Sequence, residues 1–378
     1  MALYFEDSSE GPKIHIFVIG VGGYPYLKGG VSEKEQTTGV AARLGQLTSP
    51  PVSAEAFCEM AIELHGSQSW ATPLGSIDVL VSNPSEGRSV FEGHQVKAAN
   101  MENIKDSYFA WKARCDTHED NVALFLFCGH GLGKGEHYLL AEDFGKRPED
   151  PWDGCFAFDT TVMGFGTCQA KTQIFLVDSC RQVTSDMQGL NLMIRPLEQA
   201  AFATGTSENK FVQKAAAHNE SAYGKKNKES FYVSAIIKAF KGNAAEKRNG
   251  IWKVSTGTIC SKMNELVDRE LAGAQPRQRC DNSIIGEIPI VVLRTPPTVA
   301  LKITCNPLPA LTHADLNYRE VNTGISDNRA AIDQPWIVNV TAGIYEVHAT
   351  FPEGDFHSTP ETTVVSPPFT DHVALCHL

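Results

Sequence analysis

The sequence predicts an α/β fold built on a mainly parallel sheet, followed by a small all-β region. Three observations carry this. Short, continuously apolar runs, such as Val122-Ala-Leu-Phe-Leu-Phe127 and the run that ends in Val177-Asp178, read as strands buried on both faces. Segments with helical apolar spacing lie between these runs, as expected for a parallel sheet with helices on both faces. Beyond Arg294-Thr-Pro-Pro-Thr298 the helical period disappears and apolar residues alternate instead.

Taken in order, Lys13–Gly20 is a first buried strand, and its turn is rich in glycine (Gly20, Gly22, Gly23). A helix is expected over Thr38–Leu47. A second starts near Ser53, with Phe57, Met60, Ala61 and Leu64 on one face. Ile77–Val81 is the next strand. Ile104, Tyr108, Trp111 and Cys115 form one stripe of a helix over Asn100–Cys115. Then come strands at Val122–Phe127 and Tyr138–Ala141, a short helix from Asp159 to Gln169, and the strand that begins at Gln173. Gln199–Thr204 reads as a further strand and Gly205–Glu229 as a polar loop with Lys225, Lys226 and Lys228 clustered. Two helices follow, marked by Val233, Ile236, Ile237 and Phe240, and by Ile259, Met263, Leu266 and Leu271. Glu287–Leu293 is the last strand of the series. Val299–Thr304, Trp336–Thr341 and Ile344–Thr350 then suggest a β-sandwich of roughly eighty residues. The expected division is therefore 1–294 and 299–378.

Composition narrows the function. The chain has 378 residues and a formal net charge of -11, which disfavours nucleic acid as the main partner because phosphate binding needs clustered Lys and Arg. No apolar run is long enough to span a bilayer, so no membrane partner is expected. The acids in Met1-Ala-Leu-Tyr-Phe-Glu-Asp7 stand where a secretion signal would be basic. The ten cysteines are scattered singly and read as reduced thiols, giving a cytoplasmic expectation.

In an open parallel sheet, residues just past the carboxyl ends of strands converge on one crevice. Two such ends are chemically loaded: Cys128-Gly129-His130-Gly131 after one strand, and Asp178-Ser179-Cys180-Arg181 at the other. A cysteine attacks as its thiolate, and a neighbouring imidazole can take the thiol proton and return it to a leaving amine. His130 and Cys180 are therefore a candidate base and nucleophile. The backbone N–H groups of Gly131 and Cys180 are candidates for the oxyanion hole, and Gly131 would let a substrate backbone approach without a Cβ clash. Taken singly, either side chain could be a core residue; the paired context favours catalysis. Asp178, in a narrow crevice, would attract a cation and could pair a guanidinium in bidentate fashion, or it could cap the following turn. Arg181 suits an internal salt bridge better than a subsite carboxylate.

Other chemistries are weaker. Gly129-x-Gly131-x-Gly133-x-Gly135 leads into a strand and not a helix, so no helix N-terminus is available for phosphate. Cys128 and His130 lack a second ligand pair for zinc. Glu142 and Asp143 are two acids in a loop, and no metal is expected from them. The chemistry requires no cofactor.

Phe127-Cys128-Gly129-His130-Gly131 resembles the strand-then-His-Gly motif of caspase-like cysteine peptidases. Val177-Asp178-Ser179-Cys180-Arg181 resembles the Asp-x-Cys motif of the metacaspase, separase, gingipain and clostripain branches. A histidine about fifty residues before the cysteine is the separation known for caspases. The resemblance covers roughly residues 12 to 293 and implies the caspase–haemoglobinase fold, with a mainly parallel six-stranded sheet. It also implies His130 as general base, Cys180 as nucleophile, and Asp178 at the floor of an S1 pocket for arginine or lysine. Loops bordering the groove are cut during maturation in some relatives, which makes Lys225 and Lys226 a candidate processing site. The resemblance further suggests a protein or peptide substrate, a signalling, cell-death or defence pathway of prokaryotic type, and a C-terminal domain that binds a regulatory partner. A catalytically silent scaffold is the alternative, and a thiol acyltransferase a third reading.

Overall fold

The structure, a computed structural model, describes residues 2–37, 39–84, 90–91, 93–182, 194–199, 207–273 and 277–378. At its centre is a seven-stranded sheet in the order Leu3–Glu6, Leu74–Ser82, Ile14–Val21, Val122–Cys128, Thr172–Asp178, Asn209–Lys214, Asp281–Ile285. The five inner strands are parallel and both edge strands antiparallel. Ile14–Val21, Leu74–Ser82 and Val122–Cys128 are buried along their whole length. Ile16 and Val18 face one apolar cluster, Phe17 and Ile19 the other, so the continuous apolar runs reflect two covered faces.

Helices Ser49–Gly66, Phe231–Lys238 and Thr256–Leu271 contribute to the first cluster. Helices Met101–Cys115 and Phe158–Gly164 contribute to the second, where Trp111 stacks on Phe165 at 4.7 Å between ring centroids. Asn100 caps Met101–Cys115 by accepting from Asn103 N at 2.9 Å, and Ser255 and Thr258 form a capping box at the start of Thr256–Leu271.

The α/β class holds, while several strand positions differ from expectation. Tyr138–Ala141 belongs not to the main sheet but to a small antiparallel one, His137–Leu140 between Gly131–Gly133 and Cys155–Ala157. Apart from Gln199, the strand expected at Gln199–Thr204 lies outside the described residues. The strand beside Thr172–Asp178 is Asn209–Lys214, in the stretch expected to be a loop. Its polarity hid it: buried Gln213 bonds Asn282 and Tyr232, and Lys214 pairs with Asp159. Pro289–Leu293 pairs antiparallel with Ile251–Ser255 in a separate sheet. The main sheet ends instead on polar, largely exposed Asp281–Ile285, and the edge strand Leu3–Glu6, not expected from the sequence, brings its strands to seven where six were expected.

After Pro297 the chain forms two further sheets. One contains Trp336–Thr341, Thr298–Asn306 and Phe369–Leu375, the other Ser326–Arg329, Asp315–Glu320, Gly343–Thr350 and Glu361–Val365. Alternate residues of Thr298–Asn306 are buried, and Val299, Leu301 and Ile303 join Leu316, Tyr345 and Val347 in a third apolar cluster. Among the described residues no helix is long and apolar enough to cross a membrane.

Candidate active site

The parallel register aligns the ends of three central strands: Gly20 pairs with Cys128, and Cys128 with Asp178. Two residues beyond that level stand His130 and Cys180. Both line one cavity of about 120 Å³, together with Asp178, Ser179, Leu47, Ser49, Pro50, Gly129, Ala222, Tyr223, Gly224 and Ser230.

His130 is held from three sides. Its Nε2 lies 2.9 Å from the Gly45 carbonyl oxygen. A carbonyl only accepts, so Nε2 carries the hydrogen and Nδ1 keeps its lone pair. The backbone N–H of His130 donates to the Tyr24 hydroxyl at 2.8 Å, and the two rings pack at 4.8 Å between centroids. Burial lowers the imidazole to about 4 against the opposing pull of the Gly45 carbonyl, so the ring is neutral at physiological pH.

Cys180 Sγ lies 3.5 Å from the Ala222 carbonyl oxygen. Burial raises the thiol, outweighing that contact. The resting pair is thus thiol and neutral imidazole, each hydrogen-bonded to a backbone carbonyl. The turn that carries Cys180 is fixed by His137, whose Nε2 lies 3.1 Å from the Cys180 carbonyl oxygen and 2.9 Å from Ser179 Oγ.

Asp178 is buried, and burial lifts its carboxyl to about 7 although a hydrogen bond from the Ser230 side chain acts to lower it. Ser230 Oγ also accepts from Val233 N at 3.0 Å and so caps Phe231–Lys238.

Residues 79–284 match the caspase domain of peptidase family C14, more than half of the chain. The chain belongs to the caspase family. An uncharacterized protein of Sinorhizobium fredii, y4kE, is 25% identical over 256 residues, covering 62% of this chain and 70% of its own. Among solved structures, protein GSU0716 of Geobacter sulfurreducens is similar at 13% identity and a TM-score of 0.44, covering 73% of this chain and 94% of its own. Caspase-1 of Spodoptera frugiperda is similar at 9% identity and a TM-score of 0.42, covering 75% of this chain and 93% of its own.

A Cβ on Gly131 would come within 2.5 Å of Ser179 Oγ and 2.7 Å of the Cys180 carbonyl oxygen. Packing against the turn that carries Cys180 therefore requires a glycine here, whatever a substrate needs. Arg181 forms an internal ion pair with Asp281. Lys225 pairs with Glu270 at 3.1 Å and lies over the Phe231 ring, whereas Lys226 is exposed. Both follow directly on Ala222, Tyr223 and Gly224, which line the cavity. Glu142 bonds Ser82, and Asp143 accepts from Met101 N, so both acids have structural partners.

The sequence reading missed Gly45, Tyr24, Ala222, His137 and Ser49. Gly45 and Ala222 act through carbonyls, which no residue-type signal reveals. Tyr24 stands in the glycine-rich turn after the first strand, where an aromatic residue carries no signal of a contact with His130.

Proposed function

We propose that the chain is a cysteine endopeptidase that uses His130 and Cys180 and cleaves after arginine or lysine. The observation that carries this reading is the shared cavity: a neutral imidazole whose Nε2 is held by the Gly45 carbonyl, a thiol, and one buried acid at the ends of adjacent strands. His130 Nδ1 takes the Cys180 proton as the sulfur attacks the scissile carbonyl. The tetrahedral oxyanion is met by the N–H groups of Gly131 and Cys180, and the imidazolium returns its proton to the departing amine. Water, activated by the same imidazole, then hydrolyses the thioester. Because burial keeps the imidazole neutral, the ring is not already protonated in the physiological range when the thiol must give up its proton.

Asp178 would receive the P1 cation. Being held near 7 by burial, it ionises fully once a guanidinium or ammonium enters beside it. Kinetics on peptides with P1 Arg, Lys, Asp and Leu test this, with the Cys180→Ala protein as control. Preferred turnover of the Asp peptide would overturn the assignment of Asp178, and activity retained by Cys180→Ala would remove the dyad. A silent scaffold is not favoured, since such a chain has no need of both a base and a thiol at one cavity.

On the same reading, residues 1–294 form the peptidase domain and 299–378 a β-sandwich that binds a regulatory protein. The protein then acts in the cytoplasm, in a signalling, cell-death or defence pathway. Neither nucleic acid nor a cofactor takes part. Lys225 and Lys226 lie in a loop bordering the cavity and offer a basic P1 residue to another copy or to another protease.

A further inference from the structure

One polar atom of the cavity is used neither by the dyad nor by its acid. Ser49, the first residue of helix Ser49–Gly66, is only 8% exposed, and its Oγ has no hydrogen-bond partner among the described residues. It lines the same cavity as Asp178. Gly224 lies against it, so closely that a Cβ at 224 would come within 2.9 Å of Ser49 Cβ. Four other polar side chains of the cavity wall are committed: His130 to Gly45, Cys180 to Ala222, Ser179 to His137, and Ser230 to Val233 and Asp178. A buried hydroxyl left unpaired is unfavourable for folding, and native proteins leave few such groups without a use.

We propose that Ser49 is a second anchor of the P1 pocket, its hydroxyl oxygen accepting a hydrogen bond from the arginine or lysine side chain whose charge Asp178 balances. This rests on the reading that the pocket takes a basic P1 residue. A guanidinium brings five N–H donors, more than a carboxylate already bonded to Ser230 can meet, and the three donors of an ammonium diverge, so that one carboxylate does not face them all. Donors buried without acceptors would weaken binding, and Ser49 supplies an acceptor in the same cavity. The next two residues, Pro50 and Pro51, have no N–H, so the start of this helix presents fewer competing donors to a cation.

The test compares wild type with Ser49→Ala on peptides whose P1 residue is arginine, lysine or citrulline, the neutral isostere of arginine. The expected result is a loss of kcat/KM on the Arg and Lys peptides on the order of ten- to a hundredfold, carried by KM. Alkylation of Cys180 by iodoacetamide should keep its rate, and the melting temperature should stay or rise, because no hydrogen bond of the free protein is removed. If wild type prefers Arg to citrulline and Ser49→Ala retains wild-type kcat/KM, Ser49 is not an anchor while the basic-P1 reading stands. A slowed alkylation in Ser49→Ala would mean that it acts through the nucleophile, which also overturns the assignment. A wild type that does not distinguish Arg from citrulline overturns the basic-P1 reading and Ser49 with it.

Discussion

Replacing Asp178 by asparagine separates the cost of the buried acid from its use. The carboxyl stands at about 7 in the folded chain against an ordinary 3.8, with burial the main cause. A carboxyl raised by folding contributes stability that is fully present below 3.8 and is lost as pH rises through about 7. The gap corresponds to at most about 4 kcal/mol once the group is ionised in the empty pocket. Asparagine keeps the shape, can still accept from Ser230, and has no charge to bury. Urea unfolding of both proteins at pH 5, 6, 7 and 8 should therefore show an advantage for Asp178→Asn that grows with pH. Other acids titrate in both proteins, so the difference isolates this one. The same substitution should abolish the preference for basic P1 peptides. In wild type, KM for a P1-Arg peptide should fall as pH rises from 6 to 8, an effect absent from the variant. A stability difference that is constant with pH, or an Asn protein less stable at pH 8, would refute the claim that burial dominates this carboxyl.

His130→Ala should lower kcat by about 10²- to 10⁴-fold, as expected for loss of a positioned general base, with KM little changed; steady-state kinetics check this. Tyr24→Phe removes the acceptor of the His130 N–H and should destabilise the fold by about 1–3 kcal/mol in urea unfolding, with a fall in kcat larger than any change in KM. Gly131→Ala should cost stability and activity together, because its Cβ would meet Ser179 Oγ and the Cys180 carbonyl. Intact mass of purified wild type should show a cut after Lys225 or Lys226 that the Cys180→Ala protein lacks; unchanged mass in both would remove self-cleavage.

The inner strands were legible because both of their faces are covered, so Ile14–Val21 and Val122–Cys128 are apolar throughout. Asn209–Lys214 and Asp281–Ile285 were not. One buries Gln213 and Lys214 through specific partners, and the other is an exposed edge, so neither shows an apolar run. The convergence of His130, Asp178 and Cys180 on one cavity followed from strand ends alone. What orients them did not: the carbonyls of Gly45 and Ala222 come from distant loops, and backbone atoms carry no signature in a sequence. Gly131 was singled out, but its packing in a short hairpin strand against the turn that carries Cys180 is a long-range contact with no mark in the sequence.

The account depends most on Cys180 being a nucleophile that a basic P1 group directs. A peptide chloromethyl ketone with arginine at P1, followed by peptide mapping, tests this most directly. The account predicts a single adduct on Cys180, blocked by a P1-Arg competitor and absent from Cys180→Ala and Asp178→Asn. Adducts spread over several cysteines, or equal labelling by a P1-Asp reagent, would contradict it.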